Sequence, residues 1–339
     1  MPRLRRADCS GPGLRRVGRG RGFSYHEEDG ELINDAETLE RIRELAIPPA
    51  WKEVWICPDS NGHIQATGID DAGRKQYLYH QRWRESRDRE KFDEMIAFAA
   101  ALPRLRKRVG ADLDLRGFPR ARVLAGAVSL LDHGFFRVGS EQYTAENETY
   151  GLSTLRRRHL RFESGGAVFD YRSKGAKRHV QRLDDPAVVK LLRGLKRRNG
   201  GGHELLSFRE GRKWVDVKAA DINDYLKETA GGDFSAKDFR TWNATVLAAV
   251  GLAVRSAADP PRTRTARKRI ANEVIKDVAG YLSNTPAVCR ASYIDPRVFD
   301  RFDAGTLLRT SLRRVIADTG PDEFVDREEI EAAVLRLLG

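Results

Sequence analysis

Tyr293 lies near the end of the stretch Ser283-Asn284-Thr285-Pro286 to Tyr293-Ile294-Asp295-Pro296, and three cations stand upstream of it: Arg137, Lys174 and Arg240. A phenol whose unperturbed pKa is about 10 is a weak nucleophile by itself. An electropositive pocket that binds phosphate favours the phenolate and stabilises the charge that builds on phosphoryl oxygens. Displacement at a backbone phosphate also needs fixed donors for the nonbridging oxygens and an acid to protonate the departing sugar oxygen. Arginine suits the first task, because its planar fork grips two oxygens and stays charged. Lysine suits the second. Taken singly, Lys174 reads as a solvated turn lysine and Arg137, after Gly134-Phe135-Phe136, as a surface arginine. The chemistry needs the set.

Composition points the same way. The 339 residues carry 61 Lys+Arg against 49 Asp+Glu, a formal net charge of +12, which fits a polyanionic partner. With 40% hydrophobic residues the chain is not broadly disordered, and its length allows two domains with real cores. Cys9, Cys57 and Cys289 are far apart and lack zinc-ligand spacing, so reduced thiols and a cytoplasmic protein are expected. The start, Met-Pro-Arg-Leu-Arg-Arg, has no apolar core, and no run of about 18 apolar residues occurs, so no membrane partner is expected. Gly134 to Ser140 imitates a phosphate-binding loop but lacks its lysine, and the alternating Gly18, Gly20 and Gly22 follow no strand. Neither a nucleotide nor any other cofactor is implied, and no acidic cluster suggests magnesium. His133, His159 and His179 lack metal-ligand spacing and read as solvated or structural.

The elements that must hold the reactive groups follow from patterning. Residues 1–22, rich in arginine and glycine, read as a flexible basic arm. Residues 23–95 alternate short aromatic and β-branched segments with turn residues, which predicts a small antiparallel sheet domain with one helix from Asp35 to Ala46. Tyr77 and Tyr79 are expected in a half-buried strand, with one of them packed inside. The texture changes after Gln81, and a mobile linker with a boundary near 88–103 is expected, leaving 96–339 as a larger, mainly α domain.

Within that larger domain, helices are predicted at Ala121–Leu131 and Ser140–Asn147, then three short strands at 159–163, 167–171 and 179–183 with Lys174 at a hairpin tip. Further helices follow at Ala187–Arg198, at 265–282, one or two over 297–318, and one at Asp326–Leu338. Ser235 to Asp238 has capping-box spacing and opens a long helix through Val254, placing Arg240 near a helix start. The fold class is therefore α+β.

The surroundings of these residues resemble a known family. Residues 137–159, from Arg-Val-Gly-Ser-Glu-Gln-Tyr to Leu-Arg-Arg-Arg-His, are similar to the segment around the first catalytic arginine of type IB DNA topoisomerases, in the poxvirus-like and bacterial branch. The resemblance continues through Ser173-Lys174-Gly175, Lys237-Asp238-Phe239-Arg240-Thr241, and Ser283-Asn284-Thr285-Pro286 with the tyrosine nine residues after Asn284. Gly73-Arg74-Lys75-Gln76-Tyr77-Leu78-Tyr79 is similar to a DNA-contacting segment of the family.

The resemblance implies relaxation of supercoiled double-stranded DNA without ATP, by a monomer that closes on the duplex as a clamp. It implies that Arg137 and Arg240 hold the scissile phosphate, that Lys174 is the general acid, and that Tyr293 forms a 3′-phosphotyrosyl link. Asn284 stands where eukaryotic and poxviral members carry histidine, and an amide donates hydrogen bonds but does not titrate near neutrality. Gln76, Tyr77, Tyr79, Tyr143 and Lys237 are the implied DNA contacts. A tyrosine recombinase shares the strand-transfer chemistry, but it usually has histidine where Lys237 stands and a helical N-terminal domain. A non-enzymatic DNA-packaging protein would use the basic surface alone.

Overall fold

The computed structural model describes residues 3–306 and 326–339. The chain divides into two compact units, Met1–Lys91 and Phe92–Gly339.

The first unit is a five-stranded antiparallel sheet of β1 (Leu14–Arg19), β2 (Gly22–His26), β3 (Lys52–Ile56), β4 (Ile64–Ile69) and β5 (Lys75–Tyr79), in the order β2-β1-β3-β4-β5. Leu14, Ile33, Val54, Ile56 and Ala66 meet Ile42 of helix α1 (Ala36–Glu44) in its core. Asp35 caps α1 by accepting from the Thr38 amide at 2.8 Å. The expected flexible arm is corrected here: residues 14–19 are a strand paired on both sides. Leu14 is buried in the core, and the Arg16 guanidinium stacks on Phe23 at 4.1 Å while donating to the carbonyls of Ile47, Pro48 and Trp51. An arginine that covers an aromatic face and satisfies loop carbonyls acts as packing as well as charge.

On β5 neither tyrosine is packed inside, contrary to expectation. Side chains alternate across a strand, so Lys75, Tyr77 and Tyr79 share one face, and both tyrosines are exposed, at 46% and 39%. It is Leu78, on the other face, that packs on the core.

A 33-residue helix, α2 (Gln81–Leu113), runs through the segment expected to be a linker, with Pro103 inside it. An interior proline costs a helix roughly 3 kcal/mol. The stripe Met95, Phe98, Leu102, Leu105 and Val109 is buried on both sides of the proline, and each such side chain contributes ~1.5–3 kcal/mol. Burial therefore outweighs the break.

The second unit continues with α3 (Arg120–Gly134), α4 (Glu141–Asn147), a three-stranded antiparallel sheet β6 (Leu160–Glu163), β7 (Gly166–Ser173), β8 (Lys177–Leu183), and α5 (Pro186–Arg197). A hairpin of β9 (Ser207–Glu210) and β10 (Lys213–Asp216) leads into α6 (Ala219–Ala230), α7 (Ala236–Ala258), α8 (Arg264–Leu282), α9 (Pro286–Ser292) and α10 (Pro296–Asp303). Of the one or two helices expected over 297–318, the part beyond residue 306 lies outside the described residues. A last helix, Arg327–Leu338, packs on α7 and α10. Its Arg327 and Glu331 join Arg106 and Asp132 in a buried network: Arg106 donates to Asp132 at 2.8 Å and Glu331 at 2.7 Å, and Arg327 donates to Asp132 at 2.7 Å. Asn243 of α7 donates to the Asp132 carbonyl at 2.9 Å. Among the described residues no helix is long and apolar enough to cross a membrane.

Candidate active site

Tyr293 sits at the end of α9, a helix that Thr285 caps and Pro286 opens. The Tyr293 amide bonds the Cys289 carbonyl at 3.0 Å, and the chain then plunges inward through Ile294 and Asp295, both fully buried. Asp295 caps α10 by accepting from the Arg297 amide at 2.9 Å and also pairs with the Arg297 guanidinium. From behind, the Thr245 hydroxyl of α7 reaches the Tyr293 carbonyl at 3.3 Å and accepts from the Asp295 amide at 3.1 Å. The backbone that carries the phenol is thus fastened to α7.

Arg240 lies on the same helix. Ser235 and Asp238 form the expected capping box, with the Ser235 amide 2.7 Å from the Asp238 carboxylate. Arg240 is only 5% exposed, and its guanidinium carbon is 5.3 Å from the centre of the Tyr293 ring. Its fork donates to the Phe135 carbonyl at 2.6 Å and the Leu282 carbonyl at 2.9 Å.

Arg137 follows the left-handed turn at Phe135 that ends α3. Its loop is closed by the Leu152 amide on the Arg137 carbonyl and the Ser153 amide on the Val138 carbonyl, each at 2.8 Å. Two glycines make this approach possible. A Cβ on Gly151 would lie 2.4 Å from the Gly139 Cα, and Gly139 itself has φ +93°. The Arg137 guanidinium donates to Asn284 Oδ1 at 2.8 Å and reaches the Leu282 carbonyl at 3.4 Å. Both arginines therefore converge on one turn, Leu282–Asn284, in which Ser283 takes the left-handed conformation at the end of α8. Asn284 Nδ2 is buried without a hydrogen-bond partner among the described residues.

Among the described residues the partners of both arginines are the neutral oxygens of Leu282, Asn284 and Phe135 and the Tyr293 phenol, and no carboxylate cancels their charge. Burial pushes the Tyr293 phenol up, but the charges of Arg240 and Arg137 and hydrogen bonding with both more than offset it, and its pKa is net lowered. Burial, reinforced by Arg137, brings Arg240 down to about 10, which leaves it charged at neutral pH. Burial raises the neighbouring Cys289 thiol to about 11 and Tyr171 further still, so both are inert acids near neutrality. Among the described residues no group of three or more His, Cys, Asp or Glu is placed to hold a metal.

The structure thus brings together Tyr293, Arg137, Arg240 and Asn284. Lys174 lies at the exposed tip of the β7–β8 hairpin, beside Gly175 (φ +78°) and Ala176 (φ +57°). Two residue pairs below the tip, Tyr171 faces His179 across the strands, and both sense the charges of Arg240 and Arg137. Lys237 is exposed in the first turn of α7. Tyr143 belongs to α4, but its side chain lies outside the described residues. In the N-terminal unit Tyr77 and Tyr79 stack with centroids 6.2 Å apart, and Gln76 is bonded to Asp70 at 2.9 Å.

Residues that patterning missed are the glycine pair Gly139 and Gly151, Thr245, Asp295, His179 and Ser283. Gly139 and Gly151 stand in the quoted family segment, and Asp295-Pro296 is a helix-start signal. Ser283 opens the Ser283-Asn284-Thr285-Pro286 motif, whereas Thr245 and His179 carry no local signal.

Two family models match this chain: the catalytic core of eukaryotic DNA topoisomerase I over residues 80–304, and the N-terminal domain of bacterial DNA topoisomerase IB over residues 22–70. The chain belongs to the type IB DNA topoisomerase family. It is similar to the DNA topoisomerase 1B of Acanthamoeba polyphaga mimivirus, 31% identical over 83% of this chain and 85% of that protein. It also resembles the DNA topoisomerase 1 of rabbit fibroma virus, 23% identical over 90% and 96% of the two chains, and the DNA topoisomerase 1B of vaccinia virus, 22% identical over 88% and 94%.

Proposed function

We propose that this DNA topoisomerase relaxes supercoiled double-stranded DNA through a covalent link at Tyr293. The Tyr293 phenol gives up its proton to solvent, its oxygen attacks the scissile phosphorus, the bond from phosphorus to the 5′-oxygen breaks, and a 3′-phosphotyrosyl link forms. Arg137 and Arg240 neutralise the nonbridging oxygens as charge builds there, with the Asn284 amide holding Arg137 in place and offering its own N–H. Lys174 delivers a proton to the departing 5′-oxygen. Resealing is the same step in reverse, so the bond energy is kept and neither a nucleotide nor a metal is required. The protein acts as a monomer that closes on the duplex, in the cytoplasm on the nucleoid. Tyr77 and Tyr79 with Gln76 on β5, Tyr143 on α4, and Lys237 contact the DNA.

The observation that carries this reading is a phenol made more acidic by two guanidiniums whose partners, among the described residues, are neutral oxygens. Such cations are available to a phosphate. The test is relaxation of supercoiled plasmid in EDTA without nucleotide, followed by denaturant trapping and peptide mapping. The expected result is relaxed product and a 3′-linked adduct on Tyr293. Dependence on magnesium or ATP, or an adduct on another residue, overturns it.

A further inference from the structure

His179 is buried to 8% exposure and has no part in the chemistry just described. It lies on β8, opposite Tyr171 of β7, and only the pairs Arg172–Arg178 and Ser173–Lys177 separate it from the turn that carries Lys174. Its Nδ1 is 3.1 Å from the Ser283 hydroxyl. Ser283 sits between Leu282, whose carbonyl receives both arginines, and Asn284, whose amide oxygen receives Arg137. The imidazole packs at an angle against the stacked pair Phe136 and Tyr171, with centroids 6.0 Å and 5.2 Å away. Nε2 makes no hydrogen bond of normal geometry among the described residues, although the Gly134 carbonyl is close enough to favour a proton on the ring. Burial and the charges of Arg240 and Arg137 outweigh that carbonyl and keep the ring neutral. A neutral imidazole beside two guanidiniums is suited to alignment, since it adds no charge that would compete for the phosphate.

We propose that His179 is a positioning residue: its bond to Ser283 sets the register of the Lys174 hairpin against the Leu282–Asn284 turn, so that acid and arginines address one phosphate. The inference rests on the reading of Lys174 as the acid, and the two can be tested apart. Single-turnover cleavage is measured on a DNA whose scissile 5′-oxygen is either oxygen or sulfur, because a thiolate departs without needing a proton. His179→Phe keeps a ring of similar shape and loses the bond to Ser283, and Ser283→Ala removes the bond from the other side. His179→Asn keeps a polar atom near the Nδ1 position.

Both bond-breaking variants are expected to cleave the oxygen substrate about tenfold more slowly, the scale of one well-placed hydrogen bond, and the sulfur substrate at nearly the wild-type rate. His179→Asn is expected to stay within about threefold of wild type on both, as the bond is retained. Equal slowing on both substrates, or no slowing, while Lys174→Ala is rescued by sulfur, overturns the role of His179 and leaves Lys174 as the acid. Failure of sulfur to rescue Lys174→Ala overturns the acid assignment itself.

Discussion

Arg240 and Tyr293 are held to one another by a single helix: α7 carries the guanidinium 5.3 Å from the ring centre and, one turn further on, the Thr245 hydroxyl that fastens the Tyr293 backbone. One helix therefore sets the spacing of the phenol and the cation. The geometry turns the basicity of the phenol into a property of its two arginines, and that can be measured.

Removing Arg240 should move Tyr293 titration upward, because Arg240 is the largest of the influences that oppose burial. In Arg240→Gln the phenol ionisation, followed by the NMR shift of ring-labelled tyrosine, is expected at higher pH than in wild type. Cleavage should fall by ~100-fold or more, the usual cost of losing a preorganised donor to a developing oxyanion. A downward or absent shift contradicts the electrostatic account. Arg240→Lys should also fail, since one ammonium cannot serve the Phe135 and Leu282 carbonyls together.

The loop that presents Arg137 depends on two backbones touching. In Gly151→Ala the new methyl meets the Gly139 Cα at 2.4 Å and its nitrogen at 2.5 Å, atoms that cannot swing aside as a side chain would. A loss of about 1–3 kcal/mol in urea unfolding is expected, with slower cleavage from a displaced Arg137. Gly18→Ala, where an added Cβ meets nothing within 4 Å, serves as the neutral control.

Asn284 predicts the form of the pH profile. An amide has no proton to lose near neutrality, so wild-type cleavage should show no inflection from this position between pH 6 and 8. Asn284→His places a group of ordinary pKa about 6.5 beside Arg137. Cleavage by that variant should fall as pH drops through the imidazole titration, since the protonated ring repels the arginine it replaced an acceptor for. A wild-type inflection that Asn284→Ala removes would contradict this.

Stability has its own pH signature in the network under α3. Burial raises the Asp132 carboxyl, but Arg106 and Arg327 more than compensate and hold its pKa below the usual carboxylate range. A carboxyl depressed in the folded state stabilises fully above its unfolded pKa of about 4, and that contribution is lost as pH falls through the folded value. Asp132→Asn should cost ~3–5 kcal/mol at pH 7, the scale of breaking a buried pair. The gap to wild type should narrow below about pH 4, as chemical denaturation at each pH would reveal.

Much of this molecule is legible in its sequence because the signals are local. The Asp35 cap, the Ser235 capping box and the Lys174 hairpin turn are each written within a few residues, and the reactive groups stand in quotable motifs. The strand at Leu14–Arg19 was hidden by its composition. Arginine and glycine suggest a solvated arm, and only Phe23 and the carbonyls of residues 47–51, far along the chain, turn Arg16 into packing. The same holds for α2, where Pro103 signals a stop that the buried stripe overrides. His179 read as structural or solvated because its partner, Ser283, is 104 residues away. The β9–β10 hairpin did carry a signal in Glu210-Gly211-Arg212, between Phe208 and Trp214, whereas α6 offered a weaker one.

The tie made by Arg327 and Glu331 has a consequence for the order in which a newly made chain becomes competent. Each residue of the candidate site, through Tyr293, leaves the ribosome before Arg327 does, and the direct bond from Asn243 to Asp132, which ties the segments bearing Arg240 and Arg137, gains its second tie through Arg327 when that later helix docks. A nascent polypeptide halted short of residue 327 would hold the whole candidate site on that direct bond alone, without the Arg327 and Glu331 contacts that reinforce it.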